Sequence, residues 1–159
     1  MNTIRVGISE YVVAGSPDRL VTIGLGSCVG IAVYNADKKV GGLSHILLPD
    51  STFFTTVDRP EKFADLALPL MVDEIRRKTG TGKLVAKIAG GASMFLHENE
   101  SLAGGIGSKN IEAVIRTLGE MEIPIISAHT GGNNGRTMSV DLETFDVTIS
   151  TGSKEIVIL

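Results

Sequence analysis

The chain has 159 residues, of which 43% are hydrophobic and 21% charged, and its formal net charge at pH 7 is −3. This length and composition predict one globular domain spanning residues 1–159, large enough to bury a core. The slight negative charge and the absence of lysine or arginine runs argue against a nucleic-acid partner, and no apolar run approaches the roughly 18 residues that span a bilayer. With a lone cysteine and no apolar signal sequence, we expect a cytoplasmic protein without intrachain disulfides or membrane insertion.

The first half of the chain is predicted to consist mainly of strands. Alternating, β-branched-rich segments predict four of them, at residues 3–13, 19–24, 29–35 and 39–47. Apolar residues at helical spacing then predict a helix over 58–80. Because Pro69 removes a backbone hydrogen bond inside this helix, we expect a kink or a break near residues 65–69.

The second half of the chain mixes helix and strand signals. Its predicted elements are, in order, a strand over 83–89, a helix from the N-cap Ser108 to Gly119, a strand over 123–128, and a terminal hairpin formed by 136–150 and 154–159 with its turn at 151–153. Strands outnumber helices and do not alternate with them regularly. This order favours a single-domain, layered α+β fold in which mixed or antiparallel β-sheets pack with two or three helices.

The one cysteine, Cys28, lies in a glycine-dense turn, residues 24–30 with the sequence GLGSCVG, between two predicted strands. A lone cysteine is more often a small buried hydrophobic residue than a reactive one. Glycines, however, let the backbone adopt conformations in which one side chain and several backbone N–H groups face the same point. The neighbours of Cys28 therefore favour a nucleophilic thiol over a purely structural one.

A reactive thiol needs a base, and the chain offers three histidines. His45 ends a predicted strand close in sequence to the cysteine turn, and His129 ends the strand before a glycine loop. His97 lies in a polar stretch and is expected to be solvated. Spacing in the sequence favours His45 over His129 without excluding either, since any lone histidine can have a purely structural role.

Three other kinds of site fit the sequence poorly. Residues 26–30 match a nucleophile elbow with cysteine in place of serine, but the following segment predicts a strand where that motif has a helix. The chain has no CxxC, HxH or HExxH spacing for a metal. Its Gly-Gly pairs match neither a P-loop nor a dinucleotide-binding fingerprint. We therefore expect no metal and no cofactor.

Five spaced segments carry a more specific signal. They are 22–28 (TIGLGSC), 45–49 (HILLP), 89–95 (AGGASMF), 106–110 (IGSKN) and 131–136 (GGNNGR). In these segments and their order the chain resembles the CheD family, the chemoreceptor glutamine deamidases of bacterial and archaeal chemotaxis. It departs from the family pattern at Ile88-Ala89, where an aromatic residue is expected, and at Lys109, where an arginine is expected. Both departures are expected to affect substrate contacts rather than the chemistry.

The resemblance implies a hydrolase that converts glutamine side chains on the cytoplasmic helices of chemoreceptors to glutamate, releasing ammonia. The family's catalytic cysteine, histidine and threonine fall on Cys28, His45 and Thr22, and the reaction would pass through a thioester. We expect the loop at Gly26 and Ser27 to contact the substrate and to supply backbone N–H groups to the oxyanion.

The resemblance also implies a protein partner, a CheC-type phosphatase of the phosphorylated response regulator. Two other functions remain open from the sequence. The chain could be a binding module that regulates such a phosphatase with little turnover of its own, or a thiol hydrolase that acts on receptor methyl esters. An intact set of catalytic residues permits catalysis and does not decide between these functions.

Overall fold

The computed structural model describes residues 1–93, 105–152 and 155–159, which form a three-layer arrangement of two sheets and a helical layer. The strands are β1 (Thr3–Arg5), β2 (Glu10–Gly15), β3 (Arg19–Leu25), β4 (Val29–Asn35), β5 (Val40–Ile46), β6 (Val85–Gly90), β7 (Ile125–Thr130), β8 (Arg136–Asp141), β9 (Val147–Thr151) and β10 (Ile156–Ile158). The helices are α1 (Ala64–Thr79) and α2 (Gly105–Glu120), and short 3₁₀ turns occur at Ser51–Phe53 and Pro60–Lys62.

Both sheets are mixed. The first has the order β1-β3-β8-β9-β10 and the second the order β2-β5-β4-β6-β7. Within them β1 pairs with β3, and β6 with β7, in parallel, and the other neighbours are antiparallel. The parallel pair β6 and β7 is connected through α2, since a parallel connection needs a crossover, whereas short connections join the consecutive antiparallel pairs β4–β5, β8–β9 and β9–β10. The predicted layered α+β fold is confirmed.

Strand β4 lies at the centre of the molecule and is buried along its whole length. Val29, Ile31 and Val33 face the helices and belong to the core between the second sheet and α1 and α2. Ala32 and Tyr34 face the first sheet and belong to the core between the two sheets. A strand covered on both faces has the nearly continuous apolar sequence seen here. The residue immediately before this central strand is Cys28.

The single strand predicted over 3–13 is wrong. The chain forms two strands in different sheets, and the turn between them includes Ser9, which has a left-handed φ of 62°. Residues 136–150, read as one arm of a hairpin, instead form the antiparallel pair β8 and β9. The terminal hairpin itself is confirmed, because β9 pairs with β10.

Helix α1 differs from its prediction at two points. It begins at Ala64, after the 3₁₀ turn, and it continues through Pro69, so the predicted break within 65–69 does not occur. Pro69 lies on the exposed side of the helix. The opposite side buries Leu68, Met71 and Ile75 against the second sheet. Tertiary packing of such an apolar face supplies most of the stability of a protein helix and offsets the lost hydrogen bond.

Helix α2 begins at Gly105, three residues before the predicted N-cap Ser108, and ends at Glu120. Its first turn packs closely on the end of β6, since a Cβ on Gly107 would lie 2.4 Å from the carbonyl oxygen of Ala92. A capping pattern uses only neighbouring residues, so it could not predict this long-range contact. Of the helices in the described parts of the chain, neither is long and apolar enough to span a membrane.

Candidate active site

Cys28 and His45 lie on the same face of the second sheet. His45, in β5, is paired directly with Gly30 of β4. Side chains two residues apart along a strand share a face, so Cys28 projects on the same side as Gly30 and is a diagonal neighbour of His45. That side faces the first sheet, because a Cβ on Gly30 would lie 2.7 Å from the sulfur of Met138. The thiol and the imidazole are therefore placed together between the two sheets.

The imidazole is oriented by a residue of the first sheet. Thr22 Oγ1, in β3, lies 2.6 Å from Nδ1 of His45. The same hydroxyl donates to the carbonyl oxygen of Val6 at 2.8 Å. A hydroxyl has one proton to donate, so Thr22 Oγ1 must accept its second hydrogen bond from Nδ1–H. The ring is thus held as the tautomer that leaves Nε2 unprotonated and able to act as a base.

The free ring nitrogen has no competing partner. Nε2 of His45 is buried and makes no hydrogen bond within the described residues, so the thiol and the imidazole are not hydrogen-bonded in this state. Burial lowers the pKa of His45 to about 4. Burial also raises the pKa of the Cys28 thiol, which outweighs the opposing effect of the adjacent Cys28 N–H. At neutral pH the two groups therefore rest as a neutral thiol and a neutral imidazole rather than as an ion pair.

The cysteine loop, residues 26–28, has all three of its carbonyl groups tied to neighbouring segments. Gly26 accepts from the N–H of Ala92 at 2.8 Å, Ser27 from Nδ2 of Asn110 at 2.9 Å, and Cys28 from the N–H of Gly91 at 2.7 Å. These bonds fix the loop from two sides, the end of β6 and helix α2. The loop is consequently a rigid support for the thiol.

The N–H groups of the same loop are differently placed. The N–H of Gly26 donates to the carbonyl of Gly24 at 3.0 Å. Those of Ser27 and Cys28 find no acceptor in the described part of the chain. Two unpaired donors next to a thiol are the arrangement that stabilises an oxyanion formed on attack by that thiol. The N–H of Gly26, in contrast, is already occupied and is not available to an oxyanion.

Glycine is required where β6 meets the cysteine loop. Gly90 has a φ of 111°, and a Cβ on it would lie 2.3 Å from the carbonyl oxygen of Cys28. Gly91 has a φ of 69°. Residues with a Cβ avoid these conformations and could not approach so closely. The Gly-Gly pair therefore allows β6 to contact the backbone of Cys28.

The other histidines have different surroundings. His129 lies in β7, which is two strands from β4, or about 9–10 Å at the usual strand spacing. Its Nδ1 accepts from the guanidinium of Arg136 at 2.9 Å, so this nitrogen is already engaged. His97 lies outside the described residues. Of the two described histidines, His45 is the one placed beside the cysteine loop.

The segments singled out in the sequence converge on this loop. The motif at 131–136 meets the end of β6 through the hydrogen bond from Gly131 N–H to the Gly90 carbonyl at 2.9 Å. The motif at 106–110 reaches the loop through Asn110. Sequence reasoning assigned no role to Asn110. The signal available was a polar residue at a position that shares the buried side of α2 with Ala113 and Thr117.

The two departures from the expected family pattern occupy different environments. Ile88 and Ala89 are buried in the core, at 1% and 0% exposed. This departure therefore alters core packing, whereas an effect on substrate contacts was expected. Lys109 is exposed on α2 and lines a surface pocket with Leu48 and Arg116. Its departure remains compatible with an effect on substrate contacts.

In the described part of the chain, side chains typical of metal sites are not gathered into a cluster. Within residues 1–93, 105–152 and 155–159, no group of three or more His, Cys, Asp and Glu side chains is arranged to hold a metal ion. The reactive groups that the described structure assembles are the thiol, the imidazole, the Thr22 hydroxyl and the loop N–H groups. Together they can perform nucleophilic acyl transfer, in which a base removes the thiol proton and backbone donors stabilise the oxyanion.

Comparisons with known proteins identify the family. A family model described as "CheD chemotactic sensory transduction" matches residues 47–151. A protein of Desulforamulus reducens named "Probable chemoreceptor glutamine deamidase CheD" is 52% identical over 149 residues, 93% of this chain and 90% of that protein. Proteins with the same name from Clostridium novyi and Clostridium kluyveri are 51% and 52% identical over 93% and 96% of this chain, and 92% and 97% of their own lengths. With its thiol and imidazole set between two mixed sheets, the chain belongs to the CheD family.

Proposed function

We propose that this protein hydrolyses the side-chain amides of glutamines on chemoreceptors, producing glutamate and ammonia. The observation that carries the proposal is the buried Thr22–His45 hydrogen bond, which leaves Nε2 of the imidazole free on the face where Cys28 projects. The names of relatives at 50–52% identity support the same substrate class. In the proposed reaction Cys28 is the nucleophile, His45 the acid–base group and Thr22 the group that orients it.

In the first step the sulfur of Cys28 attacks the carbon of the glutamine carboxamide. The thiol proton moves to Nε2 of His45, a carbon–sulfur bond forms, and the π electrons of the carbonyl move onto its oxygen. Because burial lowers the pKa of His45 to about 4, Nε2 is unprotonated at neutral pH, and it takes the thiol proton as the carbon–sulfur bond forms rather than before the attack. The N–H groups of Ser27 and Cys28 stabilise the negative oxygen, each such donor being typically worth about 3 to 4 kcal/mol.

In the second step the tetrahedral intermediate collapses. The imidazolium returns the proton to the amide nitrogen, the carbon–nitrogen bond breaks, and ammonia leaves a thioester on Cys28. Water then attacks the thioester with His45 as base, and the carbon–sulfur bond breaks to release glutamate and the thiol. Thr22 accepts Nδ1–H throughout, so the ring keeps one orientation as it gains and loses the proton at Nε2.

The protein would act in the cytoplasm on receptor helices, and a CheC-type phosphatase is a further proposed partner. The decisive experiment is to incubate the pure protein with a receptor cytoplasmic fragment and to measure the fragment's mass. Replacement of an amide NH₂ by OH at specific glutamines is the expected result. Loss of methyl groups from esters would indicate a methylesterase, and an unchanged mass would favour a binding module. The Cys28→Ala variant is the control, since it should leave the fragment unmodified.

A further inference from the structure

Asn110 connects the two segments that carry the proposed nucleophile and base. Its side chain, in the first half of α2, is fully buried at 0% exposed. Nδ2 donates to the carbonyl oxygen of Ser27 at 2.9 Å and to that of Leu47 at 3.1 Å. Ser27 immediately precedes Cys28, and Leu47 lies two residues after His45. One amide group is therefore bonded to the backbone on both sides of the site.

The chemistry of the two neighbours fixes the orientation of this amide. Both are carbonyl oxygens, which only accept, so only the nitrogen end of the Asn110 amide can face them. The oxygen, Oδ1, is then left buried without a hydrogen-bond partner among the described residues. A buried acceptor without a partner costs free energy. The unpartnered Oδ1 makes an asparagine costly at this position. We take this as an indication that the two hydrogen bonds donated by Nδ2 do more than stabilise the fold.

These bonds occur where the β-ladder ends. The last paired residues of β4 and β5 at this end are Val29 and Ile46, so the ladder stops one residue short of Cys28. Beyond that pair, the two chain segments are linked through Asn110 and not through strand-to-strand hydrogen bonds. Its Nδ2 donates to the carbonyl oxygens of both Ser27 and Leu47. The separation between the cysteine loop and the strand of His45 is thereby fixed by a helix outside both strands.

The bond to Ser27 also determines where the N–H of Cys28 points. The Ser27 carbonyl and the Cys28 N–H belong to one trans peptide, so they point in opposite directions in one plane. Since the carbonyl faces Asn110, the N–H faces away from α2, beside its own sulfur and without an acceptor among the described residues. We infer that Asn110 is a positioning residue that aims the Cys28 N–H at the oxygen of the substrate carbonyl. The inference deepens the proposed deamidase function and rests on it.

The test compares two reactions of the same thiol. Acetyl transfer from p-nitrophenyl acetate to Cys28 passes through an oxyanion, whereas alkylation by iodoacetamide displaces iodide from carbon and forms none. The rates of both are measured by mass spectrometry in wild type, in Asn110→Ala and in Thr117→Ala. Thr117 lies two turns further along the buried side of α2 and is the matched control. We expect Asn110→Ala to lower acetylation about ten- to a hundredfold relative to alkylation, and Thr117→Ala to leave the ratio unchanged.

Receptor deamidation is measured in parallel, where Asn110→Ala should lower kcat with little change in KM. An acetylation-to-alkylation ratio in Asn110→Ala equal to that of wild type would overturn the inference. So would a wild-type thiol that is alkylated by iodoacetamide but is not acetylated by p-nitrophenyl acetate. If the ratio falls as expected while wild type leaves the receptor fragment unmodified, the positioning role stands and the proposed substrate is wrong. Asn110→Asp, which preserves side-chain volume and replaces the donor with an acceptor, is the second variant. If both Asn110 variants fail to fold while Thr117→Ala folds, Asn110 is a structural residue and the positioning role is rejected.

Discussion

The Thr22 hydroxyl and the His45 imidazole belong to different sheets and meet at 2.6 Å in the buried space between them. Neither side chain is exposed to solvent. The orientation of the proposed base therefore depends on the packing of one sheet on the other and not on a local turn. A change at Thr22 should alter the chemistry of a histidine on a strand that is not its neighbour.

Thr22→Val tests that dependence with a side chain of nearly the same shape. It removes the hydroxyl that accepts Nδ1–H, so the imidazole loses its fixed tautomer and kcat for receptor deamidation should fall about ten- to a hundredfold. This is less than the roughly 10⁴-fold cost of disturbing an aspartate that also stabilises imidazolium. Thr22→Ser should recover most of the rate. Thr148→Val, on another strand of the same sheet, is the control. Full activity of Thr22→Val would show that the side chain does not orient His45.

Cys28→Ala should abolish deamidation and leave the fold intact. The side chain belongs to the core between the sheets, but its truncation removes only one sulfur atom and should lower the free energy of unfolding by about 1 kcal/mol. Cys28→Ser should be almost as inactive, since a hydroxyl is far less acidic than a thiol. Mass spectrometry of the receptor fragment and the melting temperature are the measurements. An unfolded Cys28→Ala protein would favour a structural cysteine instead.

The two described histidines should respond differently to substitution. His45→Ala should lower kcat by about 10² to 10⁴, the usual contribution of a general acid–base group. His129→Ala should chiefly lower the melting temperature, because it leaves the Arg136 guanidinium without one of its acceptors. Turnover and thermal unfolding are measured on both variants. Activity that survives loss of His45 but not of His129 would reverse the assignment of the base.

The pH dependence of Cys28 alkylation reports the resting charge state. Burial raises the pKa of the thiol, and His45, with a pKa lowered to about 4, carries no positive charge at neutral pH to stabilise a thiolate. The thiolate fraction in the folded protein should therefore be below that of an ordinary cysteine at the same pH. The iodoacetamide rate should rise with a midpoint above that of the same chain denatured in urea, which is the internal control. A midpoint below neutral pH would instead reveal a thiolate–imidazolium pair.

Two glycines allow a matched test of the contact between β6 and the cysteine loop. Gly90→Ala places a Cβ 2.3 Å from the Cys28 carbonyl oxygen at a φ of 111°, and we expect it to lower the free energy of unfolding by at least about 2 kcal/mol. Gly119→Ala, in α2, meets no atom within 4 Å and should raise the free energy of unfolding by about 0.5–1 kcal/mol. Urea unfolding of both variants measures the difference. Equal stabilities would mean that the loop can move away from β6 at little cost.

Part of this structure could be predicted from local sequence. The α+β class and most strands follow from hydrophobic periodicity. The glycines around Cys28 correctly indicated a tight loop, and five spaced segments were sufficient to identify the family. The break between β1 and β2 was missed because alternation continues across residues 6–9, and nothing local shows that the two halves join different sheets.

The partners of the site residues could not be predicted in the same way. Asn110 bonds to Ser27 and Leu47, which are 83 and 63 residues away in sequence. The start of α2 was misplaced because Gly107 is helical through close packing against Gly91 and Ala92, just after β6, rather than through propensity. Contacts of this kind form only once the sheets have assembled. Hydrophobic periodicity describes single helices and strands, so it cannot predict them.

The hydrogen bond from Thr22 to the Val6 carbonyl determines which mutations near Val6 can change the tautomer of His45. If that carbonyl were displaced, the Thr22 proton would be free to turn toward Nδ1, and the ring proton would shift to Nε2, where it blocks acceptance of the thiol proton. The group that prevents this belongs to the backbone, so no substitution of the Val6 side chain removes it directly. The Val6 side chain is itself 1% exposed in the core between the sheets, so apolar residues of similar size can replace it as long as β1 keeps its register beside β3. Sensitivity lies instead in insertions or deletions that shift β1 along its neighbour.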